Sequence, residues 1–315
     1  MRRSNAYISA ATRERTQRSY ASAVRHFEVE WGGLLPASGQ QVADYLAEHA
    51  SVFALNTLRQ RLAALSDWHQ AHGFPDPAKL PVVRKTLKGI ARLHPERPKQ
   101  ARPVQLVELE QIVAALDRQR AKLESDSPEH LRIARDKALL LLGFWRGFRS
   151  DELIRLRVEH IEWVAGQGMV CTLDQTKNDA IGGRTFRVPA LSRLCPVGAC
   201  LAWIALAQIT DGPLFRGIDR WHRVCAHGLH ANSVIPLLRR VFAQAGLTTA
   251  AQYSSHSLRR GFATWANANG WELKALMEYV GWRDVKSALR YIDAPDPFGQ
   301  ARIERALSGR ADQPS

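Results

Sequence analysis

The chain has 315 residues, 45% of them hydrophobic and 23% charged, with 44 Lys and Arg against 30 Asp and Glu for a formal charge of +14. That is the composition of a globular protein of about two domains. No apolar run reaches the roughly 18–20 residues of a membrane span, and no hydrophobic stretch follows the basic start MRRSNAYISAATRERTQ, so a secretory signal is not expected and the chain reads as cytoplasmic. A cationic surplus of this size draws polyanions through phosphate contacts and counterion release, although ribosomal, RNA-modifying and membrane-surface proteins share the property.

In chain order, residues 12–30 place Tyr20, Val24, Phe27 and then Trp31 at a helical rhythm. Segments 39–50, 55–72 and 81–93 repeat it, separated by Gly, Pro and Ser, and no strand is expected in this half. HPERPKQARPVQL, residues 94–106, carries three prolines among basic residues and predicts an extended, solvated linker. The second half is mixed. Helices are expected over 105–120, 130–146, 150–159, 197–209, 231–245, 257–269, 272–280 and 284–291, with a tail helix over 296–308. GMVCTL (168–173) and RTFRV (184–188) flank TKNDAIGG and predict a hairpin.

Four cysteines (Cys171, Cys195, Cys200, Cys225) are too few and too scattered for a disulfide framework. The CPVGAC pair has no Cys/His partner pair at zinc spacing, Cys225 and His227 being the nearest, so reduced thiols are expected. There is no glycine-rich phosphate loop and no carboxylate cluster of the two-metal type. Any phosphoryl transfer is therefore expected to run without metal, ATP or cofactor. Such chemistry needs a nucleophile, fixed positive charge on the phosphate and an acid for the leaving oxygen.

Candidates for all three stand in the second half. Arg149 follows a buried apolar helix and a glycine turn, where a new helix starts with Ser150 as expected N-cap, and Glu152 stands three residues on to hold its orientation. Lys177 sits at the start of the hairpin turn and can reach a leaving oxygen. His256 and Arg259 are three apart on one helix and share a face, with Leu258, Phe262 and Trp265 facing the core. Trp282 offers an indole N–H donor, and Tyr291 comes nine residues later, before Asp293, Ala294 and Pro295 end its short helix. Tyr279 competes as nucleophile but falls in the apolar pattern of Leu276, Met277 and Val280. Taken singly, Arg149 also fits a surface arginine, Lys177 an exposed turn lysine, and His256 with Arg259 a structural histidine beside a solvated arginine.

Taken together, Arg149, Lys177, His256-x-x-Arg259, Trp282 and Tyr291, with GFRSDEL, the TKN hairpin and HSLRRGFAT around them, resemble the tyrosine recombinase (phage integrase) family. Most members have histidine where this chain has Trp282. The resemblance implies a mainly α fold with a small β-hairpin or sheet (α+β). A helical core-binding, SAM-like DNA-binding domain would span 1–95, a linker 96–106 and the mixed catalytic domain 107–315, with no additional arm-binding domain before residue 12. It implies a site-specific recombinase that breaks and rejoins DNA through a 3′-phosphotyrosine at Tyr291 and a Holliday junction. Arg149 and Arg259 would clamp the phosphate, His256 would help deprotonate the phenol, Trp282 would add a hydrogen bond, and Lys177 would protonate the 5′-oxygen. The implied partners are double-stranded DNA with specific recombination sites, a homotetramer on paired sites, accessory DNA-bending proteins and no membrane. The segment DPFGQARIERALSG, with Ile303 and Leu307, would dock on a neighbouring subunit or pack on its own domain. Three rivals stand beside this reading: a type IB topoisomerase-like nicking and relaxing enzyme, a catalytically silent DNA-binding relative, and a basic RNA-binding protein.

Overall fold

Apolar side chains spaced three or four apart through the first ninety-odd residues close into one small helical core. The computed structural model describes residues 14–95, 101–173, 183–289 and 291, and the chain divides into two units, residues 1–99 and 100–315. The first unit holds α1 (Glu14–Arg25), which runs into a π-helical turn at His26–Glu30, then α2 (Gly39–Glu48), α3 (Leu55–Ala71) and α4 (Pro81–Leu93). Helix α1 packs on α3 and α2 on α4, burying Phe27, Val42, Tyr45, Leu46, Leu58, Leu65 and Val83 completely. Ser38 starts α2 with a capping box: its hydroxyl accepts from the Gln41 N–H at 3.2 Å, and its own N–H donates to Gln41 Oε1 at 2.9 Å. Buried His69 links α3 to the turn before α2. Its Nδ1 donates to the Leu65 carbonyl at 2.7 Å, which leaves Nε2 to accept from the Ala37 N–H at 2.9 Å.

The second unit is organised round α6. Its helices are α5 (Leu106–Ala121), α6 (Glu129–Trp145), the short α7 (Ser150–Ile154), α8 (Pro196–Leu206), α9 (Ala231–Gln244), α10 (Ser255–Ala268), α11 (Leu273–Val280) and α12 (Val285–Leu289). Ala138 to Leu142 and Phe144 are fully buried, so the C-terminal half of α6 is apolar all round and needs cover on every side. Helices α5, α8 and α10 pack on it. Strands β1 (Ile161–Val164), β2 (Gly168–Leu173) and β3 (Arg184–Pro189) form an antiparallel sheet in that order. Cys171 lies opposite Ile161 and Phe186, and Leu173 opposite Arg184. β4 (Arg216–Ile218) and β5 (Val224–Gly228) pair separately. The chain is thus mainly helical with small antiparallel sheets, as expected, while β1 and the β4–β5 pair were not foreseen. Four residues are too short for a period-two signal, and RGI and VCAHG hold one β-branched residue each and no Phe, Tyr or Trp, too little to mark a strand. The expected helix over 150–159 ends at Ile154, and Val158–His160 follows as a separate 3₁₀ turn.

One local reading changes. Residues 101–105, assigned above to a solvated linker, lie along the second unit. Val104 is fully buried, and its N–H donates to the Ser257 carbonyl at 3.1 Å. Arg102 pairs with Glu108 at 2.7 Å, and Glu108 also accepts from the Tyr253 hydroxyl at 2.7 Å. Proline excludes helix there but not extended chain held by its neighbours. The cysteines are unpaired, and Cys195 is the N-cap of α8, its sulfur accepting from the Gly198 N–H at 3.3 Å. Among the described residues no helix is long and apolar enough to cross a membrane. Residues 1–13, the linker residues 96–100, the hairpin turn 174–182 and the expected tail helix lie outside the described residues.

The contact of residue 104 with α10 yields a stability prediction. In an ordinary helix interior, Gly→Ala stabilises by up to about 1 kcal/mol. A Cβ at Gly261 would instead meet the Val104 carbonyl oxygen at 2.1 Å. Gly261→Ala is expected to destabilise the protein by about 1–3 kcal/mol, read as a lower midpoint in thermal or urea unfolding. A raised midpoint would show that the chain segment can move off α10 freely.

Candidate active site

The site is built from the ends of elements. Helix α6 ends at Trp145, Gly147 turns the chain at φ +61°, and α7 restarts at Ser150. Arg149, rather than the expected Ser150, is the N-cap of α7. Glu152 replaces the usual hydroxyl cap: its Oε2 accepts the Arg149 backbone N–H at 2.8 Å, while its Oε1 accepts from Arg149 Nη1 at 2.8 Å. One carboxylate thus caps the helix and orients the guanidinium, which stays 42% exposed.

Helix α10 supplies the next pair. Ser254 caps it, accepting from the His256 N–H at 3.2 Å, so His256 lies in the first turn and is exposed. Arg259, one turn on, is fully buried. It donates through Nη1 to the Gly147 carbonyl at 2.7 Å and through Nη2 to the Val280 carbonyl at 3.2 Å, and Nη1 lies 3.8 Å from Glu152 Oε2. Leu258 and Phe262 are in the core, as expected, with Trp265 packed against it. Helix α11 ends at Val280 with Gly281 as its C-cap, and buried Trp282 follows directly. The short α12 then carries the chain to Tyr291, whose N–H donates to the Ala288 carbonyl at 2.9 Å.

These turns bring the pieces together. Tyr291 Oη lies 3.0 Å from His256 Nδ1. The Arg259 guanidinium carbon is 5.1 Å from the Trp282 ring centroid and 5.6 Å from that of Tyr291. The two rings are 5.4 Å apart. Desolvation by the groups packed around the ring lowers His256 below its ordinary 6.5, and the Arg259 and Arg149 charges lower it further, which favours the neutral form that can accept a proton. Burial, then Arg149, also brings Arg259 down to about 9, still protonated at neutral pH. Among the described residues, Arg259 Nε and Trp282 Nε1 are buried donors without a hydrogen-bond partner. Buried donors are nearly always satisfied, so two unsatisfied together mark a place for an acceptor. Tyr279 is excluded from this group: its hydroxyl donates to the Trp145 carbonyl at 3.0 Å, and burial raises its pKa.

A curated integrase/recombinase, a xerD homolog from Selenomonas ruminantium, is 30% identical over 277 residues, covering 86% of this chain and 78% of its own length. The chain belongs to the phage integrase family, the tyrosine recombinases. Residues 217–296 match the phage integrase family directly. The recombinase Cre of Escherichia phage P1 is 25% identical over 292 residues, 87% of this chain and 80% of Cre. The fold agrees with solved structures. XerH site-specific recombinase bound to a palindromic difH substrate gives a TM-score of 0.63 at 18% identity, over 94% of this chain and 80% of that one. The Tn1549 transposon integrase in complex with transposon right end DNA gives 0.61 at 14% identity, over 94% of both chains.

In this recombinase Arg149, Glu152, His256, Arg259, Trp282 and Tyr291 form one connected group, and Lys177 lies outside the described residues. Sequence reading missed Arg184, whose Nη1 stands 3.6 Å from Glu152 Oε1. It also missed Arg146, buried beneath the site with its guanidinium 4.2 Å from the Tyr279 ring and its pKa brought down by burial to about 10. Both are arginines among many, and neither sits at a motif spacing.

The electrostatics can be checked without DNA. Arg149 is one of the charges lowering His256, so Arg149→Ala should move the His256 titration, followed by NMR, to higher pH. An unchanged or lower midpoint would remove Arg149 from the field at that ring.

Proposed function

We propose that this recombinase breaks and rejoins double-stranded DNA at paired specific sites, with Tyr291 as nucleophile. The observation that carries the reading is the 3.0 Å contact of Tyr291 Oη with His256 Nδ1 beside the Arg259 guanidinium. The phenol passes its proton to neutral His256, and Oη attacks the scissile phosphorus. The phosphorus–oxygen bond to the 5′ side breaks, leaving a 3′-phosphotyrosine and a 5′-oxygen that takes a proton from Lys177. Arg149 and Arg259 stabilise the charge growing on the non-bridging oxygens, Glu152 holds Arg149 in place, and the unpartnered Trp282 N–H adds a neutral hydrogen bond. The energy of the broken ester stays in the phosphotyrosine, so no ATP is needed to rejoin. A second strand's 5′-hydroxyl reverses the attack, and two such rounds make and resolve a Holliday junction.

On this reading residues 1–95 supply a helical DNA-binding domain and 107–315 the catalytic domain. The assembly is a homotetramer on paired sites, with accessory DNA-bending proteins where the reaction needs a direction. It works on the nucleoid in the cytoplasm. A nicking and relaxing enzyme shares the tyrosine chemistry but relaxes supercoils without paired sites. A plasmid bearing no recombination site separates the two.

Three outcomes test the reading. Wild type incubated with nicked suicide duplexes from the gene's own flanks should form an adduct that survives denaturation and maps to Tyr291. Tyr291→Phe should form none yet bind DNA almost unchanged, since only one hydroxyl is lost. An adduct retained in Tyr291→Phe and lost in Tyr279→Phe would reassign the nucleophile. Arg149→Ala should lower the single-turnover cleavage rate by on the order of 10²–10³-fold, the usual loss for one transition-state donor, with a far smaller change in DNA affinity. Equal losses in both would mean that Arg149 only holds DNA. Because His256 is lowered below 6.5, the acid limb of the cleavage rate, where the ring takes up a proton, should be centred below pH 6.5. An acid limb centred above 6.5 would assign the proton acceptor elsewhere.

A further inference from the structure

The cluster that faces Tyr291 contains a cation outside the family motif read from the sequence. Arg184 is the first residue of β3, at the base of the hairpin whose turn carries Lys177. Its Nη1 lies 3.6 Å from Glu152 Oε1, the oxygen already bound to Arg149 at 2.8 Å, and its Nη2 donates to the Gly281 carbonyl at 3.3 Å. Residue 281 is the last before Trp282. The guanidinium therefore stands between the carboxylate that orients Arg149 and the turn that presents the indole.

Its setting is not that of a structural anchor. Arg135, which is one, is 7% exposed in its side chain and holds Asp136 at 2.8 and 2.9 Å. The Arg184 side chain is 30% exposed, and its two polar contacts among the described residues are long. Five N–H groups in a rigid fork are available, and the two contacts use two of its nitrogens. Among the described residues, Arg149, Arg184 and Arg259 bring three positive charges to one carboxylate, and the His256 beside them is shifted toward its neutral form. Such a surplus is unfavourable until an anion enters. In-line attack on a phosphodiester takes a monoanion toward a five-coordinate dianion, and that surplus has the matching sign and size.

We propose that Arg184 is a third guanidinium on the scissile phosphate, acting with Arg149 and Arg259 on the charge of the non-bridging oxygens. The assignment rests on the reading of Tyr291 as nucleophile. Arg184 moves no proton and breaks no bond: the proton still passes from Tyr291 to His256, and the leaving oxygen still takes its own from Lys177.

The test compares two substrates in the same protein. The full-length chain is given suicide duplexes whose scissile position, mapped from the wild-type adduct, carries either the normal phosphodiester or a methylphosphonate. The methyl group replaces one charged non-bridging oxygen and so removes the charge that Arg184 would neutralise. Arg184→Ala should lower single-turnover adduct formation on the phosphodiester by on the order of 10²-fold. On the methylphosphonate the gap from wild type should close to within a few-fold. Each variant serves as its own control, because a partly folded preparation loses the same fraction on both substrates. Arg184→Lys, which keeps the charge and loses the fork, should fall between wild type and alanine on the phosphodiester. Equal losses on both substrates would reduce Arg184 to a brace for the Gly281–Trp282 turn and overturn the proposal, as would no loss on either. If the wild type itself forms no adduct with any duplex, the reading of Tyr291 fails and the assignment of Arg184 fails with it.

Discussion

A single buried carboxylate sets the geometry of the site: Glu152 has guanidinium nitrogens of Arg149, Arg184 and Arg259 at 2.8, 3.6 and 3.8 Å. Those arginines come from the cap of α7, the start of β3 and the first turns of α10, elements that share no local sequence. Three cations this close repel one another strongly in a medium of low polarisability, and only an anion among them lets the three elements converge. Glu152 also caps its own helix through the Arg149 N–H. The backbone turn and the charge cluster therefore stand or fall on one side chain. Buried ion pairs contribute little net stability, but removing one partner leaves uncompensated charge and is strongly destabilising. The carboxylate's place here is better understood as fixing orientation than as adding to the stability of the fold.

Arg259 is held in a different way. Its partners at hydrogen-bond distance are the carbonyls of Gly147 and Val280, with the Glu152 oxygen beyond them at 3.8 Å. Carbonyl dipoles fix the guanidinium plane without cancelling its charge. The positive φ at Gly147, a region that favours glycine, turns the chain at one of those carbonyls. The rings of Trp282 and Tyr291 also lie within cation–π range of it. A complete charge in a pocket that excludes most water interacts with a phosphate far more strongly than the same charge on a surface.

How much of this was legible in the sequence follows from the same distinction between local and tertiary causes. The helices of both units were, because each buries a stripe whose spacing is written along the chain, and α6 announces itself as ALLLLGFW. The order of Arg149, His256, Arg259, Trp282 and Tyr291 was legible as well, as was Glu152 three residues after Arg149, since a helix fixes that spacing. The cap was misplaced by one residue because Ser150 has the usual capping hydroxyl, whereas here a carboxylate from the third helical position takes its place. Residues 101–105 read as linker because proline and charge forbid a helix. What holds them instead is Ser257, more than a hundred and fifty positions on, together with the close approach that Gly261 permits. Arg184 was invisible for the same reason. Nothing in GGRTFRV distinguishes it from Arg187, and only the folding of β3 beside α7 and the Gly281 turn gives it partners.

The contact of residues 101–105 with α10 also bears on the chemistry. Val104 bonds to Ser257, the residue immediately after His256, while Arg102, Glu108 and Tyr253 form a charge-assisted network just before the Ser254 cap. The first turn of α10, where His256 meets Tyr291, is thus braced on one side by the segment entering the second unit. Helix ends fray because their first N–H groups lack intrahelical partners, yet this end must hold an imidazole to within a few tenths of an ångström for proton transfer. The Ser254 cap satisfies the His256 N–H, and the strand-like contact at Val104 fixes the carbonyl next in line. An exposed histidine in a frayed first turn would sample many positions. The same histidine on a turn fixed at both its cap and its carbonyl keeps its ring beside the phenol, and that constraint arises from residues with no chemistry of their own.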